Sequence, residues 1–363
     1  MSYELSAGWP PAETAKFCSP LKKYPLRSTG EVEIQMHPYR VVITDCDHGS
    51  IEEEKAEFGQ MGAELILAQV QEEKELIQVC KDADGLLNQY ALLTRKVLEN
   101  LPKCKVISRY GVGVDSVDSK AATDLGIIVA NVPDYCMDEV ATQTIAMILS
   151  LTRKTAFFDR KVKSGQWDFH LGIRIHRIKG KTLGLIGCGK IGLEVARRIS
   201  AFGVRVMTYD PYLEQAPKGI ELRDFDTVLK ESDFISIHCP LNNSTRHLIG
   251  EREFKKMEKK PLLINTSRGP IVDEKALIRA LREGLLTGAG LDVLEKEPPD
   301  TQNPLLQMEN VVLSPHVGFY SVESISELKR RTAKNVADVL MGKWPGSVVN
   351  PDVRGKTRAS ISS

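Results

Sequence analysis

The sequence predicts an α/β protein with two parallel-sheet lobes, and three observations carry that expectation. Short apolar runs alternate with stretches of helical periodicity from residue 40 to residue 130. A glycine-rich turn, Gly187 to Gly192, lies between an apolar run and a helical stretch. Beyond it the βα rhythm resumes, and this second set of apolar runs reaches six, the strand number of a doubly wound sheet.

Composition narrows the function classes. The 363 residues suffice for two domains with separate cores. With 49 Lys and Arg against 48 Asp and Glu, the charge balance gives no ground for binding nucleic acid or acidic membranes. No apolar run reaches membrane-spanning length, and the first residues lack the basic start and apolar core of a secretory signal. The 7 cysteines form an odd set without a C-x-x-C pair, which suggests neither a disulfide framework nor a metal site. A cytoplasmic, reducing setting is expected.

Residues 1–38, with Pro10, Pro11, Pro20 and Pro25, read as an irregular N-terminal extension, on the surface or ordered by a partner. Strands are then expected at 40–44, 64–68, 85–89, 106–108 and 127–130, with helices at 51–61, 72–80 and 95–101. Within this unit lies Ser108-Arg109-Tyr110-Gly111-Val112-Gly113-Val114-Asp115. Backbone N–H groups of Val112 and Gly113 can point at an anion, and Arg109 adds charge. An ordinary glycine turn into a helix explains the stretch equally well. Asp138 is placed as the cap of a helix over 139–152, apolar on most faces and therefore buried in the monomer or against a second subunit. Residues 157–179, with Trp167, read as irregular.

The glycine turn has a specific chemistry. Gly187, Gly189 and Gly192 follow the buried run at 183–186 in the spacing G-x-G-x-x-G, and a helix over 193–201 follows. Gly187 permits the tight turn, Gly189 lets backbone approach a pyrophosphate, and Gly192 lets helix and strand pack closely. Amides at the helix N-terminus favour the bound anion. The next strand, 204–209, ends in Asp210, about 18 residues past Gly192 and close to the spacing of a ribose-binding acid. A carboxylate there accepts both ribose hydroxyls of NAD and repels the 2′-phosphate of NADP. Asp210 also precedes Pro211, so a turn-forming role is the alternative.

Further strands are expected at 234–238, 262–265, 288–292 and 311–313. Ligands of such sheets lie beyond the carboxyl ends of the strands. Hydride transfer to a carbonyl needs a cation on its oxygen and an acid/base for its proton. Arg268, after one strand and before Gly269-Pro270, can supply the first, its planar fork holding a carboxylate and the adjacent carbonyl oxygen. Pairing with a structural acid such as Asp273 is the alternative. His316, after Ser314-Pro315, can supply the second. Glu297 would hold the imidazole and favour its charged form, with Glu295 competing for that place. Asp292 can accept from the nicotinamide amide or cap a turn. A helix over 321–340, a turn-rich return over 344–353 and a disordered basic tail over 353–363 complete the chain.

Taken together, Gly187-x-Gly189-x-x-Gly192, Asn265-Thr266-Ser267-Arg268-Gly269-Pro270-Ile271-Val272-Asp273, Leu291-Asp292-Val293-Leu294-Glu295-Lys296-Glu297-Pro298 and Ser314-Pro315-His316-Val317-Gly318 resemble the NAD-dependent D-isomer-specific 2-hydroxyacid dehydrogenases. The likeness runs from about Arg40 to Asn350. It implies two Rossmann-like lobes, a flavodoxin-like substrate lobe and a doubly wound NAD-binding lobe, with the active site in the cleft between them. The family's catalytic triad falls on Arg268, Glu297 and His316, Glu297 being the acid directly before the proline. The same matching assigns Arg109, Val112 and Gly113 to the substrate carboxylate. It assigns Lys190 and Ile191 to the pyrophosphate, Pro240 to the adenine wall, and Thr144, Thr245, Ser267 and Asp292 to further cofactor contacts.

The resemblance also implies a division into 39–136, 137–318 and 319–352, the last returning to the substrate lobe, and a homodimer joined through the helix 138–152. It implies reduction of a small 2-keto acid (glyoxylate, hydroxypyruvate or a relative) or the reverse. Glu297 argues against formate, whose dehydrogenases in this family place Gln beside the histidine. One departure stands out. Gly318-Phe319-Tyr320-Ser321 is bulky, and with Asp210-Pro211-Tyr212-Leu213 and Asp124-Leu125-Gly126-Ile127 it resembles the branch of the C-terminal binding protein corepressors. Phe319 is therefore expected to narrow the substrate pocket or stack on a substrate side chain. The alternative function is an NAD(H)-sensing binding protein with little turnover.

Overall fold

In the computed structural model the residues described are 38–171 and 174–361. The expectation of an irregular extension over 1–38 falls almost wholly outside them. Strands β1 (Arg40–Ile43), β2 (Glu64–Leu67), β3 (Gly85–Asn88), β4 (Val106–Arg109) and β5 (Ile128–Ala130) form a 5-stranded parallel sheet in the order β2-β1-β3-β4-β5. That is the flavodoxin-like order, with its topological switch point between β1 and β3. Helices α1 (Glu52–Gly59), α2 (Glu73–Cys80), α3 (Arg95–Glu99) and α4 (Ser119–Asp124) connect the strands. Side chains alternate as a pleated strand requires. Val41 and Ile43 enter the core shared with Phe58, while Val42 enters the opposite core, with Leu76 and Leu98.

The second sheet has 7 strands in the order β12-β11-β10-β9-β6-β7-β8. They are β6 (Thr182–Ile186), β7 (Arg205–Tyr209), β8 (Glu221–Leu222), β9 (Phe234–Ile237), β10 (Leu262–Asn265), β11 (Gly288–Leu291) and β12 (Val311–Leu313). Every pair is parallel. Numbered within this sheet, the order is the doubly wound one, and its switch point lies between β6 and β9. The six expected strands are present. The addition is β8, a short edge strand whose Glu221 and Leu222 are only half-buried, so no apolar run marks it.

Helices α5 (Met137–Arg153), α6 (Thr155–Lys163), α7 (Lys190–Ser200), α8 (Phe225–Glu231), α9 (Glu251–Lys256) and α10 (Glu274–Arg282) complete this lobe. Helix α11 (Val322–Leu340) then returns to the first sheet, packing on α1, β3 and β4. Three expectations are corrected. Helix α5 begins two residues earlier than expected, so Asp138 lies in its first turn and pairs with Arg198 on α7 rather than capping. Part of the 157–179 stretch is helical, because α6 buries Phe157 beside α5. The tail expected to be disordered packs onto the first lobe as far as it is described. Arg358 donates through Nη1 to the Leu101 carbonyl at 2.7 Å and through its amide to the Gly126 carbonyl at 2.8 Å, and Ala359 is buried. Arg358 thus satisfies backbone carbonyls of the first lobe, while Arg354, Lys356 and Ser360 remain exposed.

Candidate active site

Loops from the carboxyl ends of both sheets face one cleft of ≈ 530 Å³, lined by Arg109, Gly113 and Asn131 from one side and Arg268, Asp292 and His316 from the other. The glycine turn opens at its rim. Gly187 has φ +90, and a Cβ there would meet the Cys239 nitrogen at 2.8 Å, so only glycine fits. A Cβ at Gly189 would meet nothing within 4 Å. That open space beside the N-terminus of α7 is room for a diphosphate at the positive end of a helix dipole. Asp210 directly follows β7, and its Oδ2 accepts from the Cys188 amide at 2.9 Å, which ties the acid to the glycine turn. The turn, the helix start and this acid fit a dinucleotide with free ribose hydroxyls.

The expected chemical groups come together. His316 Nδ1 lies 2.7 Å from Glu297 Oε2, and Glu297 Oε1 accepts from the Leu294 amide at 2.9 Å. Burial pushes the Glu297 carboxyl up, but the hydrogen bond and charge of His316, the Leu294 amide and the nearby Arg268 outweigh it and hold the group below its usual range. Glu295 is engaged elsewhere, with His247 Nε2. The His316 backbone has φ 52, a left-handed conformation that a histidine adopts only under constraint. The constraint is Asp292, almost wholly buried. Its carbonyl accepts the His316 amide at 2.7 Å, and its carboxylate accepts the amides of Val317 at 3.0 Å and Gly318 at 2.8 Å. With Ser314 Oγ also on Oδ1 at 2.5 Å, Asp292 builds the histidine loop, the turn-capping alternative for this residue.

Arg268 follows β10 and reaches across the cleft. Its Nε lies 3.2 Å from Asp115 Oδ2, and its Nη1 donates to the Ser267 carbonyl at 2.8 Å. Asp273, the other acid considered for it, instead caps α10 by accepting the Ala276 amide at 2.9 Å. A Cβ on Gly269 would overlap the Leu294 carbonyl oxygen at 1.9 Å, so this glycine lets the arginine loop press against the segment that carries Glu297. Arg109 is half-buried, and its buried Nε has no hydrogen-bond partner among the described residues. Burial and then the Arg268 charge make its protonated form less favourable than usual.

The remaining expected residues are placed less uniformly. Val112, Gly113, Ile191, Pro240, Ser267 and Phe319 line the cleft. Lys190 sits on the first turn of α7, 3.4 Å from Asp134, which also binds Arg331 of α11 at 2.6 Å. Thr144 is wholly buried, its hydroxyl 2.9 Å from that of Thr266, so it backs a residue that lines the cleft. Thr245 donates to the Pro240 carbonyl at 2.6 Å and shapes that loop. Two participants escaped the sequence reading. Asp115 ends the glycine stretch after β4, and its acidic side chain, which meets Arg268 from the loop after β10, was the available signal. His48, in the loop after β1, carries no motif at all.

Residues 145–318 match the family described as D-isomer specific 2-hydroxyacid dehydrogenase, NAD binding domain. A glyoxylate reductase of Thermofilum pendens is 41% identical over 294 residues, covering 77% of this chain and 85% of that protein. A D-3-phosphoglycerate dehydrogenase of Methanocaldococcus jannaschii is 39% identical over 318 residues, which cover 86% of this chain and 59% of that longer protein. Among solved structures, a D-lactate dehydrogenase of Aquifex aeolicus, complexed with NAD and lactic acid, superposes with a TM-score of 0.77 at 31% identity, covering 85% of this chain and 99% of that one. The chain therefore belongs to the D-isomer specific 2-hydroxyacid dehydrogenases, NAD-dependent oxidoreductases that interconvert 2-keto acids and D-2-hydroxy acids.

Proposed function

We propose that this enzyme reduces a small 2-keto acid of the glyoxylate or hydroxypyruvate kind, with Arg268, Glu297 and His316 as its catalytic residues. The observation that carries the reading is the 2.7 Å pairing of His316 with Glu297 in the cleft that Arg268 also lines. Bound NADH supplies the hydride. The Arg268 fork holds the substrate carboxylate and draws charge onto the carbonyl oxygen, with the Val112 and Gly113 amides and Arg109 beside it. His316 donates a proton from Nε2 to that oxygen, because Nδ1 is committed to Glu297. Glu297 keeps the ring oriented and supports its charge. Gly187, Gly189, Gly192, Lys190 and Ile191 hold the diphosphate, Asp210 holds the ribose, and Pro240, Thr245, Ser267, Thr144 and Asp292 shape the rest of the cofactor site.

The same reading divides the chain at 136/137 and 318/319 into substrate and cofactor lobes. It includes a cytoplasmic setting, supported by cysteines that are free among the described residues. It also includes a homodimer through the helix 138–152. Much of that helix is already buried within the chain, so the dimer would rest on its exposed positions Asp138, Thr142 and Ala146. The aromatic pair Phe319-Tyr320 is what likens the chain to the corepressor branch, and the complete Arg-Glu-His set favours turnover over cofactor sensing. NADH absorbance loss with glyoxylate, hydroxypyruvate, pyruvate, phenylpyruvate, 2-ketoisocaproate and phosphohydroxypyruvate tests it. Saturable turnover of one or two is expected. A flat panel with tight NADH binding and NADH-driven dimerisation would favour the sensing alternative.

A further inference from the structure

The switch point of the first sheet, between β1 and β3, opens into the same cleft. Its two loops are laced together. The buried Asp45 carboxylate accepts the amides of Gln89 at 3.2 Å, Tyr90 at 2.8 Å and Ala91 at 3.2 Å, and Gln89 Nε2 donates to Asp47 Oδ1 at 2.5 Å. Lys329 of α11 donates to the Ser50 carbonyl and fixes the far end of the β1 loop. This frame presents His48, whose side chain is 6% exposed and lines the cleft. Its ring stands edge-on to Tyr110 at 5.8 Å and to Phe319 at 6.3 Å, and Phe319 stands edge-on to His316 at 6.2 Å. One phenyl ring thus touches both the catalytic imidazole and a second one.

The polar atoms at this end of the cleft are unmatched. His48 Nδ1 lies 3.3 Å from Asp47 Oδ1, a carboxylate that favours the proton on that nitrogen, and Nε2 is buried without a partner among the described residues. Burial pushes the His48 pKa down, Asp47 opposes this, and the charges of Lys329 and Arg109 add to it, so the ring is neutral and Nε2 offers a lone pair. Arg109 Nε, also buried without a partner, offers an N–H. An unmatched acceptor and an unmatched donor, carried by two residues that line the same cleft, complement a group that both donates and accepts, a hydroxyl. A carboxylate or phosphate would set an oxygen lone pair against that of Nε2. A methyl group would leave both atoms unsatisfied, which costs specificity of the kind polar sites show against apolar analogues.

We propose that His48 is a specificity-determining residue, which with Arg109 receives a hydroxyl carried on the substrate one or two carbons beyond the keto group, so that the enzyme selects hydroxylated 2-keto acids over apolar ones. This rests on the keto-acid reading above. The test compares kcat/KM for hydroxypyruvate with that for 2-oxobutyrate, a near isostere with methyl in place of hydroxyl, and uses glyoxylate, which has no side chain, as the reference. Wild-type full-length protein is expected to favour hydroxypyruvate by about tenfold or more, and His48→Leu to cut that ratio by roughly 10- to 100-fold. His48→Asn, which keeps an acceptor oxygen, is expected to retain part of it. A wild-type ratio near one, equal losses on both substrates in His48→Leu, or a preference for phosphohydroxypyruvate would overturn the proposal. Glyoxylate turnover without the hydroxyl preference would sink the role of His48 alone. No turnover of any keto acid would sink the functional reading and this inference with it.

Discussion

Glu297 Oε2 stands 2.7 Å from His316 Nδ1, while Glu295, two residues earlier, is turned to His247. The pairing leaves Nε2 as the proton-bearing atom for the cleft. Because His316, the Leu294 amide and Arg268 hold the Glu297 carboxyl below its usual range despite burial, it stays ionised on the acid side and keeps its support of the ring there. In Glu297→Gln the charge that favours the imidazolium is gone. The alkaline fall in the rate of keto-acid reduction is expected to begin at lower pH than in wild type. His316→Ala is expected to cut turnover by about 10²–10⁴-fold. An unchanged pH–rate profile in Glu297→Gln, or near-wild-type turnover in His316→Ala, would remove the pair from the mechanism.

Arg268 spans the cleft, its Nε 3.2 Å from Asp115 Oδ2 on the loop after β4. Lysine keeps the charge but loses the planar fork that engages carboxylate and carbonyl together. Arg268→Lys is therefore expected to lower kcat/KM for the keto acid by about 10²–10³-fold while NADH binding, read by its fluorescence, stays close to wild type. Asp115→Asn removes only the counter-charge and should raise KM far less. A loss of NADH affinity equal to the loss of activity would place Arg268 in the cofactor site instead.

Asp210 binds the Cys188 amide at 2.9 Å and so couples the ribose end of the cofactor site to its glycine turn. Replacing it by serine removes the negative charge that repels a 2′-phosphate and weakens the hydrogen bonds to the ribose. KM for NADH should rise by about tenfold or more, a hydrogen bond to a charged group being worth about 1.5–3 kcal/mol, and the preference over NADPH should shrink. Steady-state kinetics with the two cofactors decides it, and an unaltered preference would assign Asp210 to the turn alone.

Much of this site was legible because its residues sit in local motifs whose spacing follows from backbone geometry. The glycine turn, Arg268 before Gly269-Pro270 and His316 after Ser314-Pro315 all lie directly beyond apolar strands. Choosing Glu297 over Glu295 from the residues alone was not possible, since both lie in one polar loop and only the tertiary path of that loop separates His316 from His247. Thr144 and Asp292 show the opposite limit. The family resemblance assigns them to the cofactor site, yet the Thr144 hydroxyl and both Asp292 carboxylate oxygens bond within the protein. The packed tail around Arg358 and the short β8 were not legible, because their partners are distant carbonyls and a neighbouring edge rather than any periodic apolar face.

Lys329 on α11 is 3% exposed and lies 2.6 Å from Glu53 and 3.7 Å from Glu54, whose other oxygen accepts from the Tyr110 hydroxyl at 2.8 Å. Burial raises the Glu53 carboxyl, but Lys329 outweighs it, so the group sits below its usual range. Burial raises Glu54 above its own. The stability that Glu53 contributes is present above the ordinary carboxylate pKa and is lost as pH falls through its depressed folded value. Lys329→Met removes the cation that both neighbouring acids share. Breaking a fully buried pair costs about 3–5 kcal/mol; the Glu53 side chain is 31% exposed, so the loss is smaller, and the variant should melt measurably below wild type at neutral pH. Acid protonates both carboxyls and relieves the repulsion. The gap in Tm should therefore narrow as pH falls into the carboxylate range, and Glu53→Gln in the same background should narrow it at neutral pH. A gap that is constant with pH would mean that Lys329 acts through packing and the Ser50 carbonyl rather than through its charge.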